Sequence, residues 1–362
     1  MVTSTVVDAS GVGPGGITRV LTEVVRCWPA GERMRIVAAP AGWQPPADTA
    51  AEVTVAGTQR DGRIGTIAEA TRTLREVTGG DAGPGTRVLS LSPSLAVRGS
   101  RLPVTTIVHD LAFRLWPDGL SASVRQYRKL SYSTAIGRSE RLLCVSARTR
   151  HDLLGLYGVP YEKTTVWHPG SDLAVTPGVL PGPVAAVHDR GGRYLVVPGH
   201  AAHKGVELAV EALADLPGHH LVVLTGGRPV DAFLRAAAAS PAADRVIFLD
   251  RLSDAEYAAT VAGAAAFVMP SHFEGYGLPA AEALRLGTPT VISPDPALLE
   301  ATGGAAARMT TWSGAALVDA LRQLTDRPPV TAAEPGGRSW RAATAHLHAL
   351  LSGGAPAVAA RL

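Results

Sequence analysis

The sequence predicts an α/β protein built as two consecutive parallel-sheet domains, and three observations carry that prediction. Short β-rich runs alternate with Ala/Leu-rich helical runs, the pattern left by parallel strands joined through crossover helices. The alternation stops over Gly170–Gly192, where Pro177, Pro181, Pro183 and several glycines interrupt it, and then restarts. The 362 residues are long for a single core and comfortable for two.

In the first half the strand candidates are Ser4–Asp8, Met34–Ala38, Val88–Leu91, Thr105–Val108, Leu142–Val145 and Thr165–Trp167. Helical periodicity runs through Ile17–Cys27, Ile64–Val77, Ser121–Ile136 and Ala147–Tyr157. The Gly170–Gly192 stretch reads as a linker or long loop. After it come strand candidates Tyr194–Val197, Leu221–Leu224, Val246–Phe248, Ala266–Met269 and Thr290–Ile292, with helices such as Val206–Ala214 and Asp254–Val261 between them. The expected domains are 1–180, 181–335, and a piece 336–362 holding a helix at Ser339–Leu351 and a frayed tail; packing of this piece back on the first domain is one arrangement open to it.

Composition narrows the function classes. Hydrophobic residues at 46% and charged residues at 18% suit a globular chain rather than a disordered one. No apolar run approaches the roughly 18 residues of a membrane span, and Met1–Ser10 lacks the basic start and apolar core of a secretory signal. Cys27 and Cys144 have no metal-ligand spacing and are expected as buried thiols in a reducing cytosol. Lysine supplies only Lys129, Lys163 and Lys204 among 34 basic residues, a bias expected of a GC-rich bacterial genome. With a net charge of +3 and scattered arginines, the sequence offers little to nucleic acid.

The most informative segment runs from Phe267 to Ile292 and reads Phe-Val-Met-Pro-Ser-His-Phe-Glu274-Gly275-Tyr276-Gly277-Leu278-Pro279-Ala-Ala-Glu282 before continuing to Gly287 and Pro289. A buried strand ends at Met269 and a glycine-rich loop follows. Pro279 fits the first turn of a helix, where its missing N–H costs nothing, while Gly287 and Pro289 end that helix. Loops at the carboxyl ends of parallel strands are where open α/β sheets bind ligands. A helix start at Gly277 and Leu278 offers backbone N–H groups and positive dipole to a diphosphate. Glu282, one turn further on, would be repelled by phosphate but accepts hydrogen bonds from a vicinal diol such as a ribose.

This segment resembles the signature of retaining family-4 glycosyltransferases of the GT-B fold, in which two glutamates separated by seven residues flank a glycine-rich turn; Glu274 and Glu282 match. The resemblance implies two Rossmann-like domains facing an interdomain cleft, with Glu274 on sugar hydroxyls, Glu282 on the nucleotide ribose, and Gly275 to Leu278 on the phosphates. It extends to His109-Asp110, whose histidine the family brings near the donor sugar, and to Ser146, equally readable as a helix N-cap. Trp167-His-Pro-Gly170, Glu300 and Ser339-Trp340 also fit. Lys204, in Gly199-His200-Ala-Ala-His203-Lys204-Gly205, matches the family's phosphate-binding lysine; the accompanying arginine is replaced, leaving His200, His203 or Arg19 as its stand-in.

Gly11-Val-Gly13-Pro-Gly15-Gly16 also fits a dinucleotide fingerprint. That reading needs a carboxylate at the end of the second strand, and Val37-Ala-Ala-Pro40 has none. The family's Gly-Gly loop followed by an arginine, here Gly15, Gly16 and Arg19, fits instead. No Asp-x-Asp occurs, so no metal is expected. The expected function is transfer of a sugar from a nucleotide-diphosphate sugar, with retention and without cofactor, to a small-molecule, glycan or lipid-linked hydroxyl acceptor, in the cytoplasm. A membrane surface stays open as a partner, with nothing in the sequence to support it. The alternatives are a GT-B sugar-nucleotide epimerase and a catalytically silent partner subunit.

Overall fold

The computed structural model describes residues 4–353 apart from 14, 81, 118, 119, 228, 229 and 326–336, so the tail expected after Ser352 falls largely outside the described residues. The chain forms two compact units. The first comprises residues 1–115, 120–170 and 338–362, and the second residues 116–119 and 171–337.

The first unit holds β1 (Ser4–Asp8), β2 (Arg33–Ala39), β3 (Glu52–Thr58), β4 (Arg87–Ser90), β5 (Val104–Val108), β6 (Ser139–Cys144) and β7 (Thr164–Val166), in the sheet order β3-β2-β1-β4-β5-β6-β7. Every pairing is parallel. Parallel pairing requires crossover connections, and helices such as Gly16–Arg26, Arg63–Val77 and Ala122–Arg138 supply them. The C-terminal helix Trp340–Leu351 belongs to this unit: the buried Trp167 indole donates to the Ala343 carbonyl at 2.9 Å, and Gly170 pairs with Arg338.

The second unit holds β8 (Arg193–Pro198), β9 (His219–Leu224), β10 (Val246–Leu249), β11 (Ala266–Met269), β12 (Thr290–Ile292) and β13 (Ala307–Arg308), all parallel, in the order β10-β9-β8-β11-β12-β13. Its strands are mostly apolar because both faces are covered, polar residues such as Arg193, His219 and His220 standing at strand starts and Arg308 at the end of the edge strand β13. Consecutive residues alternate between two separate cores: Leu195, Val197, Leu221, Val223 and Val268 pack on one face, Val196, Val222, Phe267, Met269 and Ile292 on the other. Each such side chain contributes roughly 1.5–3 kcal/mol by leaving water.

Three expectations change. Gly170–Gly192 is not wholly a loop: Gly182–His188 is helical, with Pro181 at its cap and Pro183 in its first turn, where proline is tolerated. Strands β3 and β13 join the sheets although no run announced them. Cys144 is buried as expected, but Cys27, at the end of a helix, is only half-buried. No helix among the described residues is long and apolar enough to cross a membrane.

Candidate active site

Strand order in the second unit reverses between β8 and β11, and the crevice outside the carboxyl ends of such a pair is where doubly wound sheets take ligands. The sequence delivers its candidates to that point. Beyond β8 come His200, His203 and Lys204; beyond β11 come Glu274 and the glycine-rich turn. Lys204 Nζ donates to Glu274 Oε1 at 2.7 Å, with side chains only 6% and 9% exposed. Two charges so far from bulk water persist only when well paired. The two loops are stapled as well, since His272 N–H donates to the His203 carbonyl at 2.8 Å. Gly205 permits the approach: its φ is +66°, and a Cβ there would overlap the Pro270 carbonyl.

The loop carrying Glu274 is fixed from the other side by Asp295. One Asp295 oxygen accepts from Glu274 N–H at 3.1 Å; the other accepts from Ala297 N–H at 2.8 Å and so caps the helix Pro296–Thr302. Ser293 Oγ donates to the Ser271 carbonyl at 2.6 Å and the Trp312 indole to the same carbonyl at 3.0 Å. His272 Nε2 lies 2.8 Å from Glu207 Oε1, and its ring stacks on Trp116 at 4.9 Å between centroids.

The helix Leu278–Arg285 starts where expected. Gly277 is its N-cap at φ +106°, with Leu298 occupying the space a Cβ would need, and Pro279 sits in the first turn. Gly275 and Leu278 are half-buried and Tyr276 is buried. The first N–H groups of any helix lack intrahelical acceptors, so this start is suited to an anion. Glu282 lies one turn in, 3% exposed, and accepts from the Tyr257 hydroxyl at 2.8 Å. The second unit therefore brings Lys204 and Glu274 into contact and places Glu282 one turn into the helix that follows the Glu274 loop. His203 joins through its backbone carbonyl, whereas His200 is exposed.

The remaining candidates lie in the first unit. Gly15 and Gly16 are exposed at the start of helix Gly16–Arg26, and Arg19 N–H bonds the Gly15 carbonyl at 3.2 Å. The loop before them is anchored by buried Asp8, which accepts from Ser10 N–H at 3.0 Å, Ser10 Oγ at 2.6 Å and Ser90 Oγ at 2.9 Å. Burial nevertheless pushes the Asp8 carboxyl above its ordinary pKa. Gln59 adds donors to the Ala9 and Val12 carbonyls. His109 follows β5, two strands from that loop in the sheet. Its Nε2 is 2.7 Å from the Leu91 carbonyl, which only accepts, so Nε2 carries the proton. Burial lowers the His109 pKa, so the ring is neutral at pH 7 with Nδ1 as its acceptor. Ser146 accepts from Thr149 N–H at 3.0 Å and is an N-cap. Asp8, Tyr257 and Asp295 escaped the sequence reading; their bonds to Ser90, Glu282 and Glu274 respectively are made through chain reversals that no local spacing encodes.

Two family descriptions match almost end to end: Glycosyltransferase Family 4 over residues 14–175 and Glycosyl transferases group 1 over residues 186–331. A glycogen synthase of Mycobacterium tuberculosis is 28% identical over 235 residues, 63% of this chain and 55% of that protein. A D-inositol 3-phosphate glycosyltransferase of Xylanimonas cellulosilytica is 33% identical over 180 residues, 46% of this chain and 43% of that one. The chain thus spans about half the length of the curated relatives it matches. Among solved structures, Anabaena HepE in complex with UDP and glucose superposes with a TM-score of 0.69 at 16% identity, covering 97% of this chain and all (100%) of that one. WaaG, a glycosyltransferase involved in lipopolysaccharide biosynthesis, gives 0.66 at 17% identity over 96% and 94% of the two chains.

Proposed function

The chain belongs to the family-4 glycosyltransferases of the GT-B fold, and from that premise we propose that it moves a sugar from a nucleotide-diphosphate sugar to a hydroxyl acceptor, with retention at the anomeric carbon and without a metal ion. The observation that carries the reading is the buried Lys204–Glu274 pair beside a helix start at the strand-order reversal.

In this mechanism the diphosphate lies against the amides opening helix Leu278–Arg285, and Lys204 meets its charge. Glu282 takes the ribose hydroxyls. Glu274 exchanges its bond to Lys204 for sugar hydroxyls as the phosphates share the cation, so both halves of the pair keep a partner and neither charge is left bare. Cleavage of the anomeric C–O bond sends the electron pair to the diphosphate, whose growing charge Lys204 and the helix dipole stabilise. No carboxylate is assigned as nucleophile; the acceptor hydroxyl attacks from the leaving-group face and gives its proton to the departing diphosphate, which accounts for retention. HepE's complex with UDP makes uridine nucleotides the first donors to try.

The test is a panel of nucleotide-sugars screened by thermal shift, then by nucleoside diphosphate release with and without hydroxyl acceptors. Acceptor-dependent release, with product of the donor's anomeric configuration, is expected. Epimerised donor without transfer would replace this reading with the epimerase, and absence of binding to every donor would leave a silent subunit.

A further inference from the structure

The hydroxyl of Tyr257 reaches from helix Asp254–Ala262 to Glu282 Oε2 on helix Leu278–Arg285 at 2.8 Å. We propose that Tyr257 is a positioning residue for ribose recognition, clamping one carboxylate oxygen so that the plane of Glu282 is set before the nucleotide arrives. This rests on the reading of Glu282 as the ribose acceptor.

A glutamate's terminal torsion is broad and roughly two-fold, so nothing in the side chain itself fixes the carboxylate plane. A vicinal diol, however, presents two donors in one fixed arrangement. Ordering the acceptor on binding costs affinity that ordering it beforehand saves. Tyr257 is suited to do this because its ring, not only its hydroxyl, is held: it packs against the core that contains Val261, Met269, Ala280 and Ala283. Both helices are also pinned. Ser253 and Glu256 form a capping box at the start of one, and Thr288 Oγ, just past the other, donates to the Val261 carbonyl at 2.9 Å. A carboxylate offers about four lone-pair directions, so the bond from Tyr257 leaves acceptor capacity for the diol.

The experiment compares wild type, Tyr257→Phe and Glu282→Ala by calorimetry. The ligands are whichever of UDP, GDP and ADP binds wild type most tightly, and its 2′,3′-dideoxy counterpart. Phenylalanine keeps the packed ring and removes only the donor. Tyr257→Phe is expected to weaken the ribonucleotide about three- to tenfold, the scale of one net hydrogen bond, while leaving the dideoxy ligand unchanged. General loosening of the site would weaken both ligands alike and overturn the proposal. A ribo-to-dideoxy preference that collapses in Glu282→Ala but survives in Tyr257→Phe would also overturn it, with the ribose assignment standing. A preference intact in both variants would overturn the proposal and that assignment together.

Discussion

Lys204 and Glu274, 70 residues apart in sequence, share a hydrogen bond of 2.7 Å at a point almost closed to solvent. Two effects should follow from Lys204→Ala. Catalysis is expected to fall by ~10²–10³, the usual cost of removing a group that stabilises developing charge. Stability should also drop by about 3–5 kcal/mol, because Glu274 is left buried without its cation. Glu274→Gln in the same chain should recover most of the stability and none of the rate. Denaturant titration and steady-state kinetics on the single and double variants separate the two effects. A single variant within about threefold of wild type in kcat/KM would move the phosphate role to His200, His203 or Arg19.

Gly205→Ala should be among the more damaging small changes in the chain. The added methyl meets the Pro270 carbonyl, and the backbone sits at φ +66°. A loss of roughly 1–3 kcal/mol is expected from strain at such a position. Because the shift separates the two loops, KM for the donor should rise as well. Thermal unfolding and donor kinetics measure both, and an unchanged melting midpoint would contradict the close approach.

Acid should weaken the first unit partly through His109. Its pKa is lowered by burial, so the unfolded chain binds the proton more readily than the folded one. The stability it contributes is therefore complete above its ordinary value of about 6.5 and is lost as pH falls from there toward its lowered folded value. His109→Asn should flatten that part of the stability–pH curve, and subtracting the two curves isolates His109 from His219 and His346, which shift the same way. A difference curve level between pH 7 and pH 5 would rule the effect out.

Turnover should survive excess EDTA, since phosphate charge is assigned to Lys204 and a helix start. Loss of activity on chelation with recovery on adding Mg²⁺ or Mn²⁺ would defeat the metal-free mechanism.

The legibility of the sequence was uneven for physical reasons. The stretch from Met269 to Gly287 was readable because its residue types answer local demands: glycine at a positive φ and proline in a first turn. Lys204 stood out because lysine is scarce. Helix Gly182–His188 was hidden because its prolines, at the cap and first turn, look like breakers when the helix start is unknown. Strand β3 is an edge strand whose residues are mostly exposed, with only Val53 and Ala56 half-buried, and so lacks a buried face to betray it. Pairings such as Tyr257 with Glu282, or Asp295 with the Glu274 amide, depend on how crossover helices return, which side-chain periodicity does not record.

The return of residues 338–351 to the first unit has a consequence for biosynthesis. Trp167 and Trp340 are both buried there, and Trp167 finds its acceptor on Ala343. During synthesis residues 4–170 therefore keep an unfinished surface until residues 338–351 have been made. The second unit, residues 116–119 and 171–337, needs nothing made after residue 337. The second unit can therefore close while the first still lacks its last helix, the reverse of the usual N-to-C order of domain maturation.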